Sequence, residues 1–210
     1  YNCPISVAID SFLLPDFDGP GELTINSNQN EKVLLPKTIS IQKLILNGVL
    51  DIQDFDLTIK NPTPTALSTN SNGAIESNDG KLIRSIAQLP QSTYALNYTF
   101  PFKSNFSKRS LTLGIGANAL LNEGKISVQQ LKEQGVYDTL QILDGADTLR
   151  YRTKGGWFIQ ALDDFDVSGS SINLASNSNN WLNNIPPFDY RISRAESTAG
   201  VHGINSFNST

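Results

Sequence analysis

The sequence predicts an all-β protein, and three observations carry the prediction. Apolar segments of strand length recur about a dozen times along the 210 residues. Between them lie turn-forming groups such as Asn47-Gly48, Asn78-Asp79-Gly80 and Gly155-Gly156, together with Pro/Gly clusters. β-Branched residues are dense, and no stretch holds a convincing long helix. The expected architecture is a β-solenoid-like or β-sandwich part over residues 1–90, a β-sandwich-like part over 91–196 and a flexible tail over 197–210.

The most regular stretch is Thr38 to Lys60, TISIQKLILNGVLDIQDFDLTIK. Thr38 to Leu46 reads as one strand, and the run Leu44-Ile45-Leu46 suits burial on both faces. Asn47-Gly48 is the pair best able to take positive φ in a tight turn. Val49 to Ile52 and Phe55 to Ile59 make two further short strands. Leu44, Leu46, Leu50, Ile52, Phe55, Leu57 and Ile59 would supply one continuous apolar layer.

Upstream, Ile5 to Leu14 reads as a first strand stopped by Pro15, and Pro15 to Gly21 (PDFDGPG) is the densest turn signal. Glu22 to Asn26 is a strand and Ser27 to Lys32 a loop. Downstream, Asn61 to Asn72 (NPTPTALSTNSN) has the composition of a linker or long loop. Gly73 to Ser77 and Lys81 to Ala87 are strands around Asn78-Asp79-Gly80, which suits a hairpin or a solenoid corner.

In the second half, Thr93 to Phe102 alternates Tyr94, Leu96, Tyr98 and Phe100 against Ala95, Asn97 and Thr99, as a half-buried strand does. Arg109 to Ile115 is its expected partner. Gly116 to Glu123 has room for a helical turn, and Lys125 to Leu131 reads as a strand or a short helix. Thr139 to Leu143, Thr148 to Thr153 and Trp157 to Leu162 are strands, with Gly155-Gly156 joining the last two. Ser170 to Leu174 and Phe188 to Ala195 complete the series.

Composition bounds the function. Sixteen Lys and Arg against 20 Asp and Glu leave a net charge of −4, which disfavours nucleic acid and anionic membranes as partners. Charged residues are 17% and apolar residues 39%, both low for an intracellular enzyme, with Asn, Ser, Thr and Gly making up the balance. No apolar run approaches the roughly 20 residues a membrane-spanning helix needs. There is no secretion signal and no initiator Met, so Tyr1 looks like a processed or trimmed start. The single cysteine, Cys3, has no internal partner; it is a small near-terminal residue or an intermolecular thiol.

Three Asp-Phe-Asp triplets stand out: Asp16-Phe17-Asp18, Asp54-Phe55-Asp56 and Asp164-Phe165-Asp166. On a strand, alternation puts both carboxylates on one face and the Phe opposite, so the plain reading is a core Phe flanked by solvated acids. Asp16 and Asp18 differ because they lie in a turn before Gly19, where oxygens can converge on a hard cation such as Ca²⁺. The third acid and closing Glu of a full Ca²⁺ loop are missing, and an Asx turn is the plain alternative. No other cofactor is expected. Triad chemistry lacks its base: the only histidine, His202, sits in the Gly/Ser/Asn tail. Trp181, with Asn180 and Asn183, combines a ring that can stack on a sugar with amides that can hydrogen-bond it, whereas Trp157 reads as core.

Four segments resemble a family. GVLDIQDFDLTI (Gly48 to Ile59) looks like the "G-x-L-D-L-x-x-F-D-L-T-I" rungs of secreted, β-rich, adhesin-like surface proteins from Bacteroidota. NYTFPFKSNFSKRSLTL (Asn97 to Leu113) is similar to the family's "Y-x-F-P-x-G…Y-R-P-L-T-L" segment, with Lys103 where the Gly would be and Lys108-Arg109-Ser110 in place of Tyr-Arg-Pro. LRYRTKGGWFI (Leu149 to Ile159) resembles "R-Y-W-T-I" with Trp157 displaced, and YRISRA (Tyr190 to Ala195) resembles "Y-R-I-A-R-Y". The resemblance implies a secreted surface module, exported by the type IX route and serving adhesion or structure. It also implies O-glycosylation at Asp-Ser/Thr-apolar triplets, which here would fall on Thr139 and Thr148.

The expected function is therefore a non-enzymatic extracellular module for structure or adhesion, whose partners are other copies of itself or other surface proteins. A filament or sheath subunit is one form of this. The alternatives are a carbohydrate-binding module using Trp181 and its neighbouring Asn residues, and a glycan-degrading enzyme working through a carboxylate pair.

Overall fold

The computed structural model describes residues 2–3, 7–8, 21–28, 31–88, 96–104, 107–115, 123–131, 137–144, 147–153, 156–163, 165 and 172–176. These are nearly all strand. In chain order they are β1 (Asn2–Cys3), β2 (Val7–Ala8), β3 (Glu22–Ser27), β4 (Lys32–Leu34), β5 (Ile39–Ile41), β6 (Lys43–Leu46), β7 (Val49–Asp51), β8 (Leu57–Ile59), β9 (Leu67–Thr69), β10 (Ala74–Glu76) and β11 (Lys81–Ile86). Longer strands follow: β12 (Leu96–Ser104), β13 (Ser107–Ile115), β14 (Gly124–Leu131), β15 (Tyr137–Asp144), β16 (Asp147–Thr153), β17 (Gly156–Leu162) and β18 (Ile172–Ser176). The only helical piece among the described residues is a 3-10 turn at Pro64–Ala66.

Strands β1 to β11 form a stack of parallel coils with three faces. The first sheet runs β1-β3-β6-β9, the second contains β2-β4-β7-β10 and the third β5-β8-β11. Each of the three coils from β3 to β11 lays one strand on each sheet, so like residues stack: Leu44 lies beside Leu67, Leu50 beside Ile75, and Leu57 beside Leu82. All six are buried in one core that draws on all three sheets.

This geometry corrects the reading of Thr38 to Leu46 as one strand. The chain bends at Gln42, leaving β5 in the third sheet and β6 in the first. The bend resets the alternation, so Ile39 and Ile41 point inward before it, and Leu44 and Leu46 after it. Ile45 is only partly buried, so the apolar run faces the core on one side, not on both. The expected apolar layer is present: six of its residues are buried and Phe55 packs against them.

Asn47-Gly48 makes a corner between β6 and β7, not a hairpin, and neither residue takes positive φ. Its chemistry is that of stacking. Asn47 Nδ2 donates to Asn26 Oδ1 at 2.8 Å, and Asn47 N donates to Ile25 O at 2.8 Å. One coil later Asn70 N donates to Leu46 O at 3.1 Å. Gly48 lies directly over Ser27, and any Cβ there would collide with the Ser27 backbone. Gly73 lies equally close over the Leu46 carbonyl.

One further expectation changes, and another resolves between its two readings. Asn61 to Asn72 is not a linker: it holds the 3-10 turn and β9, with Ala66 and Leu67 buried. Its polar residues form local turns, Asn61 Oδ1 accepting from Thr63 N at 3.0 Å and Asn70 Oδ1 from Gly73 N at 2.9 Å. Asn78-Asp79-Gly80 is a solenoid corner. Its three backbone N–H groups converge on the carbonyl of Gln53 in the previous coil, at 2.8, 3.2 and 3.0 Å. Gln53 holds φ at 52°, and it is fixed there by Asp51 Oδ1, which accepts its N–H, and by Leu35 O, which accepts its side-chain amide.

Beyond the coils most pairing is antiparallel. β12 adds to β10 in parallel, but β13 pairs antiparallel with β12 and β18 antiparallel with β13. In the third sheet β14 pairs antiparallel with β11, and β17 antiparallel with β14. The second and third sheets thus run on past Pro90 as antiparallel sheets, sharing the buried core through Tyr98, Phe100, Leu113, Ile126 and Val128. β15 and β16 pair with each other as a two-stranded ribbon. The expected joining of Thr148–Thr153 to Trp157–Leu162 is corrected accordingly: β16 and β17 belong to different sheets.

Where the parallel stack meets the antiparallel strands, Arg84 on β11 points inward and is fully buried. Its Nη2 donates to the carbonyls of Thr63 and Pro64 at 3.1 and 2.9 Å, and its Nη1 to that of Thr99 at 3.3 Å. Burial pushes its pKa down to about 10.

Candidate interaction surface

Several charged groups on the outer faces of the coils hold neighbouring coils together. Lys32 on β4 reaches Asp51 on β7 at 2.6 Å and Glu76 on β10 at 3.4 Å, and Lys103 on β12 reaches Glu76 at 3.6 Å. The hydrogen bond that it donates to Asp51 holds the Lys32 ammonium above its ordinary pKa. On the first sheet Lys43 reaches Glu22 at 2.7 Å.

The Asp54-Phe55-Asp56 triplet lies at a corner rather than on a strand, because its chain is turning from the second sheet to the third. Asp54 is exposed, and Phe55 packs against the core as expected. Asp56 ties three coils: its N–H donates to Thr38 Oγ1 at 3.2 Å, and its Oδ1 accepts from Lys81 N at 3.0 Å. Of the last triplet, Phe165 is buried against Gly124.

The predicted Ca²⁺ ligands Asp16 and Asp18 and the predicted glycan-binding residues Asn180, Trp181 and Asn183 lie outside the described residues, as do Cys3's neighbours Tyr1 and Pro4. Among the described residues no three His, Cys, Asp or Glu side chains gather where a metal could be held. Thr139 and Thr148 fall on the two strands of the β15–β16 ribbon, in register with Tyr151 and Leu143 respectively. Trp157 packs against the core. No helix among the described residues is long and apolar enough to cross a membrane.

The feature that sequence reasoning missed is β17. It is the last strand of the third sheet, hydrogen-bonded to β14 along one side and to no other described strand. Its sequence, GWFIQAL, carries no charge and no proline, the usual protections of a sheet edge. The register shows how the core runs out into it. Ile39, Leu57, Leu82, Val128 and Ile159 stand side by side across the sheet. The first four are buried, whereas Ile159 is 37% exposed. On the opposite face Phe158 is 45% exposed, and Leu131 at the end of β14 is 41% exposed. The strand therefore offers an open edge with apolar side chains on both faces. In sequence it looked like an ordinary core strand; the clue was its lack of polar alternation.

No protein-family model, curated protein sequence or solved structure matches this chain.

Proposed function

We propose that this chain is a non-enzymatic extracellular module, used at a cell surface for structure or adhesion. One observation carries the reading: the apolar, charge-free edge strand β17, with Phe158 and Ile159 open to solvent. An exposed edge of this kind recognises extended chain by backbone pairing, and needs no reactive centre to do so. Two further points support it. The resemblance of Gly48 to Ile59 and Asn97 to Leu113 is to secreted surface proteins. The acids Asp51, Asp56 and Glu76 are engaged in joining coils, which suits a scaffold that must keep its shape.

The test is location. Antibody to the folded chain, applied to intact cells that produce it, should label the outer surface, and brief protease treatment of those cells should remove the label. Label found only after the cells are broken open would overturn the reading.

A further inference from the structure

We propose that β17 is the contact through which two copies of this chain associate, edge to edge and antiparallel, about a twofold axis at Ile159. This rests on the surface-module reading and names the partner of its edge strand.

The strand is complementary to itself in one register. When β17 pairs antiparallel with a second β17 about Ile159, Ile159 meets Ile159, Trp157 meets Ala161, and Phe158 meets Gln160. Opposed residues in such a pair project to the same face. Trp157, Ile159 and Ala161 lie on the face that continues the core, since Ile159 is in register with buried Val128 and Ala161 with buried Ile126. The largest side chain of one copy thus meets the smallest of the other, twice, on either side of an Ile–Ile contact. The exposed Ile159 of each copy, flanked by Val128 on one side, would gain an apolar neighbour on the other.

No charged residue falls between Gly156 and Leu162, so nothing along β17 repels its copy in this register. The third sheets of two copies would join into one continuous sheet of ten strands, five from each. Such a contact is isologous, so it closes at two copies, and further assembly would need another surface.

The test is made on the full chain. Sedimentation should show a dimer that dissociates on dilution. Ile159→Lys should shift the weight-average mass to that of a monomer, with far-ultraviolet circular dichroism unchanged and the melting temperature equal to that of the parent diluted to monomer. Register is read by cross-linking in a Cys3→Ser background. Ile159→Cys places two thiols on the axis, at the Cα separation of about 4.5–5.5 Å that a disulfide accepts. Ala161→Cys places them four residues apart along the strands, about 13 Å. Mild oxidation should therefore cross-link the first variant and spare the second. A parent chain that stays monomeric at high concentration while natively folded would overturn this pairing and leave the surface location untouched. Association that survives Ile159→Lys, or equal cross-linking of both cysteine variants, would also overturn it.

Discussion

The guanidinium of Arg84 lies over the ring of Tyr98, its central carbon 5.1 Å from the ring centroid. Its Nη1 and Nη2 groups donate to backbone carbonyls, those of Thr63, Pro64 and Thr99. Tyr98 completes the plug: its hydroxyl donates to Pro62 O at 2.9 Å and accepts from Ala87 N at 3.4 Å. One cation and one ring thus fasten the widened corner at residues 61–66 to the first antiparallel strand, through interactions that strengthen as water is excluded.

Arg84→Ala should be among the most damaging single substitutions in the chain. It leaves carbonyls buried without donors and opens a cavity, at a cost of about 3–5 kcal/mol. Arg84→Lys keeps the charge but not the fork that spans three acceptors, and should lose about half as much. Denaturant titration of the two variants measures both, and a loss below about 1 kcal/mol for Arg84→Ala would show that the plug is dispensable.

Alkaline pH should loosen the fold partly through Tyr98. Burial, the largest cause, raises the pKa of its phenol above 10.0. The folded state therefore keeps this proton at pH values where the unfolded chain has lost it. The contribution is fully present below pH 10 and is lost as pH rises through the folded value. Lys32, raised above 10.5, has the same sign. The fall in melting temperature above pH 10 should be shallower in Tyr98→Phe than in the parent.

Gly48→Ala and Gly73→Ala should each destabilise by about 1–3 kcal/mol, because the new methyl group meets backbone of the neighbouring coil that cannot step aside. Gly156→Ala is the control. Its nearest neighbour would be a side-chain atom of Leu131 at 3.9 Å, so it should be neutral or slightly stabilising. Thermal melts of the three variants separate a stacking role from a simple loss of glycine.

The Lys32–Asp51–Glu76 group should be worth little on its cationic side and more on its anionic side. The Lys32 side chain is 39% exposed and its ion pairs are screened, so Lys32→Met should cost under about 1 kcal/mol and less in high salt. Asp51→Ala also frees the N–H of Gln53, adding about 1–2 kcal/mol. Denaturation at low and high ionic strength reads the difference.

Strand content was plain in the sequence because apolar periodicity reports burial directly. Glu22 to Asn26, Lys81 to Ala87 and Lys125 to Leu131 are strands close to their expected bounds. The corners were less legible. A hairpin and a solenoid corner use the same residues, and Asn47-Gly48 became a corner only because Asn26-Ser27 lies beneath it. The recurring Asn-small pairs, Asn26-Ser27, Asn47-Gly48 and Asn70-Ser71, were the available sign. Their uneven spacing and the Pro/Thr insertion before Leu67 concealed them. At β17 the pattern of a core strand was present, but whether a neighbour covers such a strand depends on sheet order, which local pattern does not encode.

Because β12 and β14 lie over the last coil, and β13 and β14 run antiparallel to the strands they pair with, two of the three sheets are covered at the downstream end. A lineage that lengthens this molecule therefore has to splice new turns into the interior, by repeating a length such as that from Leu44 to Leu67, and cannot append them after Ile86. Homologues of different size should vary in the number of such turns while the plug at Arg84 and everything laid over it stay constant.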